Sequence, residues 1–174
     1  MKMRDLLSVE RVIPRLRARD KRDALRKLAA HAAHEAGVPD AAAICTVLEC
    51  AELPAFGPAA GVSLLHTFVP GLGNPIATFA GLEPAVDFGA ADGSQTDLVA
   101  LLLSPAESAG EHLRALARIA RTLRDPNVRK LLRASRCRDS LYAILCGSDE
   151  QHWSRDQTAV ESKLGSRRKS SSAF

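Results

Sequence analysis

From residue 28 to residue 113 the chain has no lysine and no arginine, although the same stretch carries ten Asp and Glu. The basic residues are crowded elsewhere: ten lie in residues 1–27 and nine in residues 114–139. A net charge of +4 therefore hides two basic blocks around an acidic middle. Aromatic residues make up only 4% of the 174 residues, too few for a platform on which bases stack. Both basic blocks are expected to be solvated helix faces, and nucleic acid is not expected as a partner. The four cysteines, Cys45, Cys50, Cys137 and Cys146, form no CxxC pair and no metal-ligand spacing, which points to small apolar fillers in a reducing compartment. No apolar run reaches the ~18 residues of a membrane span. The opening "MKMRDLLSVERVIPRLR" is charged throughout, without the apolar core of a signal peptide. These absences predict a cytoplasmic protein with no membrane contact, metal or cofactor.

What remains is a chain of ordinary apolar content, 46%, long enough for one domain and a tail. "RVIPRLRA" (Arg11–Ala18) alternates apolar and basic residues and reads as a strand. "DKRDALRKLAAHAAHEAG" reads as a helix with Asp20 as N-cap and Gly37 as its stop; Leu25, Leu28, Ala29 and Ala32 share one face. "PDAAAICTVLECAEL" is a second helix, capped by Asp40, with Ile44, Val47, Leu48 and Ala51 toward the core. Pro54, Gly57, Pro58 and Gly61 mark a loop. "VSLLH", ending at His66, is a short strand, and "IATFAG" and "PAVDF" are further strand pieces. "DLVALLL" (Asp97–Leu103) is the most continuous apolar run and reads as a central strand buried on both faces. A helix capped near Ser108 follows, with Leu113, Leu116, Ile119, Ala120 and Leu123 as its core stripe and Arg114, Arg118 and Arg121 toward water. Two more helices follow: one with Asp125 as N-cap and Pro126 at its first position, the other carrying Leu141, Tyr142 and Leu145. Strands interleaved with helices predict an α/β domain over residues 1–147, and the polar, basic residues 148–174 predict a flexible tail.

Two histidine settings invite a chemical reading. His31 and His34 make an HxxH pair with no third ligand near in sequence, so solvated helix residues are expected there rather than a metal site. His66 closes an apolar run in "GVSLLHTF". Position alone leaves it open between a reactive group and a hydrogen-bonded core histidine.

The ordered set "DKRDAL" (Asp20–Leu25), "GPAAGVSLLH" (Gly57–His66), "LVALLLSP", "EHLRALARIARTL" and "DSLYAIL" resembles the enzyme IIA domain of the bacterial phosphoenolpyruvate-dependent phosphotransferase system. The likeness is to the mannitol/fructose type, and within it to the nitrogen-regulatory branch. The resemblance implies a central mixed β-sheet flanked by helices. It also implies that His66 takes a phosphoryl group from an HPr-like phosphocarrier protein, with His112 beside it in the same pocket, and that the phosphorylated state is reported by contact with other proteins. The residue types suit that chemistry. A neutral imidazole is nucleophilic near neutral pH, transfer is mostly positioning and charge stabilisation, and a histidine in the first turn of a helix lies where anions are favoured.

The chain departs from the family pattern "RE-x-x-x-S-T-G-I-G-x-G-I-A-I-P-H" at telling places. Cys50 stands at the active-site arginine, Ala55-Phe56 replaces Ser-Thr, and Leu65 and Thr67 flank the histidine. Thr67 is a candidate hydroxyl for a bound phosphate. Losing one preorganised donor to a transferring group costs ~3–4 kcal/mol, a factor of ~10²–10³. Two expectations follow: a phosphocarrier acting through His66 and His112, or a degenerate relative that binds partners without taking phosphate.

Overall fold

The apolar run at 97–103 becomes the spine of the molecule. The computed structural model describes residues 1–50, 61–90 and 93–147. In it β4 (Thr96–Pro105) lies between β3 (Ile76–Val86) and β2 (Val62–Val69), with β1 (Val12–Leu16) beyond β3. β4 is parallel to β2 and antiparallel to β3, and β3 is parallel to β1. The sheet is therefore mixed and open, as the resemblance implied.

Every residue from Leu98 to Pro105 is buried because both faces are covered. Val99, Leu101 and Leu103 pack with α2 (Lys21–Ala36) and α3 (Ala41–Cys50) on one side. Leu98, Ala100 and Leu102 pack on the other side with α1 (Met3–Leu6), α4 (Ala109–Arg124), α5 (Pro126–Ala134) and α6 at 138–147. Each fully buried leucine of this strand contributes about 1.5–3 kcal/mol of transfer free energy.

The helix boundaries follow the capping chemistry. Asp20 accepts from the Asp23 amide at the start of α2, and Gly37 ends that helix in the left-handed region at φ 67°. Asp40 accepts from Ala43, and Asp125 from Asn127 with Pro126 at the first helical position. Asp23 is buried on α2 between Arg26 and Lys27, whose hydrogen bonds hold its carboxyl well below the usual carboxylate range.

Several expectations need correction. β2 continues three residues past His66 because Thr67 and Val69 still find a buried face. The two expected strand pieces form one strand that ends at Val86, with a register shift between Gly81 and Val86. There the carbonyl of Pro14 sits 2.8 Å from where a Cβ on Gly81 would lie. Val47 is 51% exposed because α3 seats on Ile44 and Leu48, with Ala41 and Cys45 beside them. Leu113 is 64% exposed: α4 seats on Ala115, Ile119 and Leu123, which admits His112 and Thr122 to the buried side and turns Leu113 out. Arg118 is partly buried rather than in water, since its flank of α4 is covered near Cys146 of α6, and that burial lowers its pKa. Ser108 occupies the N-cap position of α4 but makes no side-chain cap bond. α1 was not expected; its Met3 and Leu6 join the core. Ala51, the loop at 54–58 and the tail at 148–174 lie outside the described residues.

Candidate functional site

Side chains on a strand alternate between faces. On β2, Val62, Leu64, His66 and Phe68 share the face toward α4. On β4, Leu98, Ala100, Leu102 and Ser104 do the same. In the parallel register His66 is opposite Leu102, and Phe68 is opposite Ser104. Both strands therefore bring polar or aromatic side chains to their C-terminal ends, the side on which open α/β sheets bind ligands. The chain turns there after Pro105 and enters α4, which delivers His112 as its fourth helical residue.

The two imidazoles meet. The rings of His66 and His112 have centroids 5.0 Å apart at an interplanar angle of 61°. Phe68 also packs against His112, with centroids 4.5 Å apart and a tilt of 34°. His112 is only 5% exposed, and its Nδ1 lies 2.9 Å from the Ser104 hydroxyl. His66 is half-buried, so one ring is sheltered and the other reaches solvent. Burial, and after it the neighbouring His66, push the His112 pKa below its ordinary value of 6.5. His112 is thus neutral around pH 7 and has one N–H to donate. The amide of His112 is used within the helix, bonded to Ser108. The earlier amides of that turn have no partner within the helix and favour negative charge.

No lysine or arginine among the described residues makes a hydrogen bond or ion pair with either imidazole. Arg15, Arg133 and Arg136 form ion pairs with Glu83 and Asp97, and Arg19, Arg22, Arg26 and Lys27 form theirs with Asp23 and Glu49. The side chain of Cys50, at the position of the missing arginine, is outside the described residues.

The other candidates fall elsewhere. His31 donates to the Glu10 carbonyl at 3.0 Å, and His34 is exposed beside Glu35. No group of three or more metal-ligating side chains occurs among the described residues. Thr67 points to the opposite face of β2 and donates to the Phe68 carbonyl, so its hydroxyl cannot serve an anion at His66. Sequence reading missed Ser104 and Phe68. Both were within reach of strand alternation: Ser104 is two residues past Leu102, and Phe68 is two past His66.

Comparison with known proteins gives concordant results. The model of the family described as "Phosphoenolpyruvate-dependent sugar phosphotransferase system, EIIA 2" matches residues 5–147. A protein of Bradyrhizobium diazoefficiens named "Nitrogen regulatory protein" is 39% identical over 145 residues, which is 83% of this chain and 95% of that protein. The crystal structure of the nitrogen regulatory protein IIA-Ntr from Neisseria meningitidis superposes with a TM-score of 0.73 at 22% identity, covering 81% of this chain and 97% of that one. The mannitol enzyme IIA of Escherichia coli, solved in complex with phosphorylated enzyme IIB, gives a TM-score of 0.62 at 16% identity over 81% of this chain and 97% of that one. The last two likenesses speak to the fold alone. No helix among the described residues is long and apolar enough to cross a membrane.

Proposed function

The chain belongs to the EIIA 2 family of the phosphoenolpyruvate-dependent sugar phosphotransferase system, and on that premise we propose that its domain at residues 1–147 accepts a phosphoryl group on His66 and signals through contact with other proteins. One observation carries this reading. Two histidines from separate elements, 46 residues apart in sequence, meet with ring centroids 5.0 Å apart where two parallel strands end.

The donor is an HPr-like phosphocarrier bearing phosphohistidine. An unprotonated nitrogen of His66 attacks phosphorus and forms a new N–P bond. The carrier's N–P bond breaks and its electron pair returns to the carrier's ring. His112, neutral and sheltered, donates its N–H to an equatorial oxygen, and the opening turn of α4 adds its favourable field. Around this point Phe68 is 44% exposed and Leu113 64% exposed, which supplies an apolar rim for a protein partner. A regulatory rather than a sugar-transporting role is supported by the name of the Bradyrhizobium relative, and a cytoplasmic site of action fits a partner that draws on phosphoenolpyruvate.

A second reading has its own support. Cys50 replaces the arginine of the family pattern, and no described cation contacts the imidazoles. A non-phosphorylated regulator would use the same rim without the chemistry. One experiment separates the two. Incubation of the full chain with phosphoenolpyruvate, enzyme I and an HPr-type carrier should add the mass of one acid-labile phosphoryl group, lost entirely in His66→Ala. No adduct, with partner binding retained, establishes the second reading.

A further inference from the structure

The N–H that His112 would offer to a phosphoryl group can reside on either ring nitrogen. The opposite side of the ring is informative. Ser104 is 0% exposed, and the contact with His112 Nδ1 at 2.9 Å is the one hydrogen bond of its hydroxyl among the described residues. A serine hydroxyl has one donor, and a buried donor without an acceptor is costly. If Ser104 accepted from an Nδ1–H, its own O–H would be stranded in a dry place. If it donates to Nδ1, both groups are satisfied, and the proton of the neutral ring resides on Nε2.

The two tautomers differ sharply toward an anion. With the proton on Nε2, the nitrogen that Ser104 leaves free is a donor. With the proton on Nδ1, that nitrogen would present a lone pair to phosphate oxygens. The ring is also held from the side by Phe68, which the β2–β4 register sets opposite Ser104. A donor that is already oriented needs no reorganisation as charge develops.

We propose that Ser104 is a positioning residue for phosphoryl transfer: its hydroxyl holds His112 as the Nε2–H tautomer, leaving a ready donor for the phosphoryl group on His66. The assignment rests on the phosphoacceptor reading of His66 and deepens it.

The tautomer is measured without phosphate. Long-range ¹H–¹⁵N spectra of the full-length, ¹⁵N-histidine-labelled protein at neutral pH should show His112 protonated at Nε2 and bare at Nδ1. Ser104→Ala should abolish that preference, and Ser104→Thr, which keeps a hydroxyl on the same strand, should restore it. The rate of phosphorylation by the HPr-type carrier should fall about tenfold in Ser104→Ala and recover in Ser104→Thr. The backbone amide fingerprint of β4 checks that each variant is folded. An Nδ1–H ring in the wild type, or an Nε2–H ring undisturbed by Ser104→Ala, overturns the proposal. If the tautomer follows Ser104 but the wild type takes no phosphate, the phosphoacceptor reading has failed. The transfer role of Ser104 falls with it, while the tautomer assignment is upheld.

Discussion

At the C-terminal ends of β2 and β4, His66, His112, Phe68 and Ser104 gather without a cation or a carboxylate bonded among them. At the opposite end of the sheet, charge is matched atom for atom. Asp97 takes two hydrogen bonds from Arg133 at 2.6 and 2.7 Å, and Glu83 is bracketed by Arg15 and Arg136. Asp97 and Ser104 are seven residues apart on β4, roughly 23 Å at the rise of an extended strand. One end is finished: each of these carboxylates is paired with a guanidinium of the same chain. The other end holds a sheltered donor and a half-buried nucleophile, and no charged side chain among the described residues bonds to either. The contrast teaches where to look for function, because a site that completes its own electrostatics has no use for a transferable anion.

The largest expected effect comes from supplying the open end with what it lacks. Cys50→Arg restores a cation at the position the family pattern assigns to one. It should raise the rate of phosphorylation at His66 by about 10²–10³-fold, read by single-turnover transfer from a phosphorylated HPr-type carrier. A variant no faster than wild type would mean that the open end is already complete, and the contrast between the two ends would dissolve.

How much of this was legible in the sequence depends on the kind of signal. The strand at 97–103 was legible because six consecutive apolar residues before Ser-Pro admit few alternatives, and α2 because Asp20 and Gly37 each do specific capping chemistry. The stripe of α4 was legible in part: Ile119 and Leu123 are buried and Leu116 and Ala120 pack against the core as expected, whereas Leu113 turns out and close approach to the sheet places Ala115, His112 and Thr122 on the buried side. Apolar counting cannot see that a small residue sets the line of contact. The pairing of His66 with His112 was legible only through resemblance, since no local pattern links residues so far apart in sequence. Ser104 and Phe68 could have been found from period-two alternation alone. They escape notice when the strands are ended at Leu103 and at His66.

The finished end can be disturbed with smaller consequences. Gly61 opens β2 at φ 62°, and a Cβ there would lie 2.7 Å from both Arg133 Nη2 and Asp97 Oδ1. Gly61→Ala should cost about 1–2 kcal/mol, from left-handed strain plus displacement of the pair, and lower the melting temperature by several degrees. Arg133→Met, which unpairs a partly exposed ion pair, should stay within about 1 kcal/mol. Neither change should alter phosphorylation at His66 by more than a factor of about two, given the separation along β4. A larger loss of transfer in a folded Gly61→Ala protein would show that the two ends are mechanically coupled.

The smallest effect is a slope, and it separates the ends along the pH axis. His112 has its folded pKa below its ordinary 6.5, by burial first and by His66 second. The unfolded chain therefore binds a proton at this residue before the folded protein does. The stability this contributes is complete above 6.5 and is lost as pH falls from there to the depressed folded value. Glu83 behaves as a carboxylate held low by Arg15 and, more weakly, by Arg136. Its contribution is complete above its ordinary 4.5 and is lost only as pH falls through its lowered folded value. Melting temperatures measured in steps from pH 8 to pH 4 should begin to decline near 6.5 in the wild type. His112→Gln should flatten the upper part of that decline, and Glu83→Gln should change only the part below about pH 4.5. If Glu83→Gln instead removed the decline that starts near neutrality, the imidazole end would not be the one that carries an uncompensated burial, and the distinction drawn between the two ends of β4 would have to be reversed.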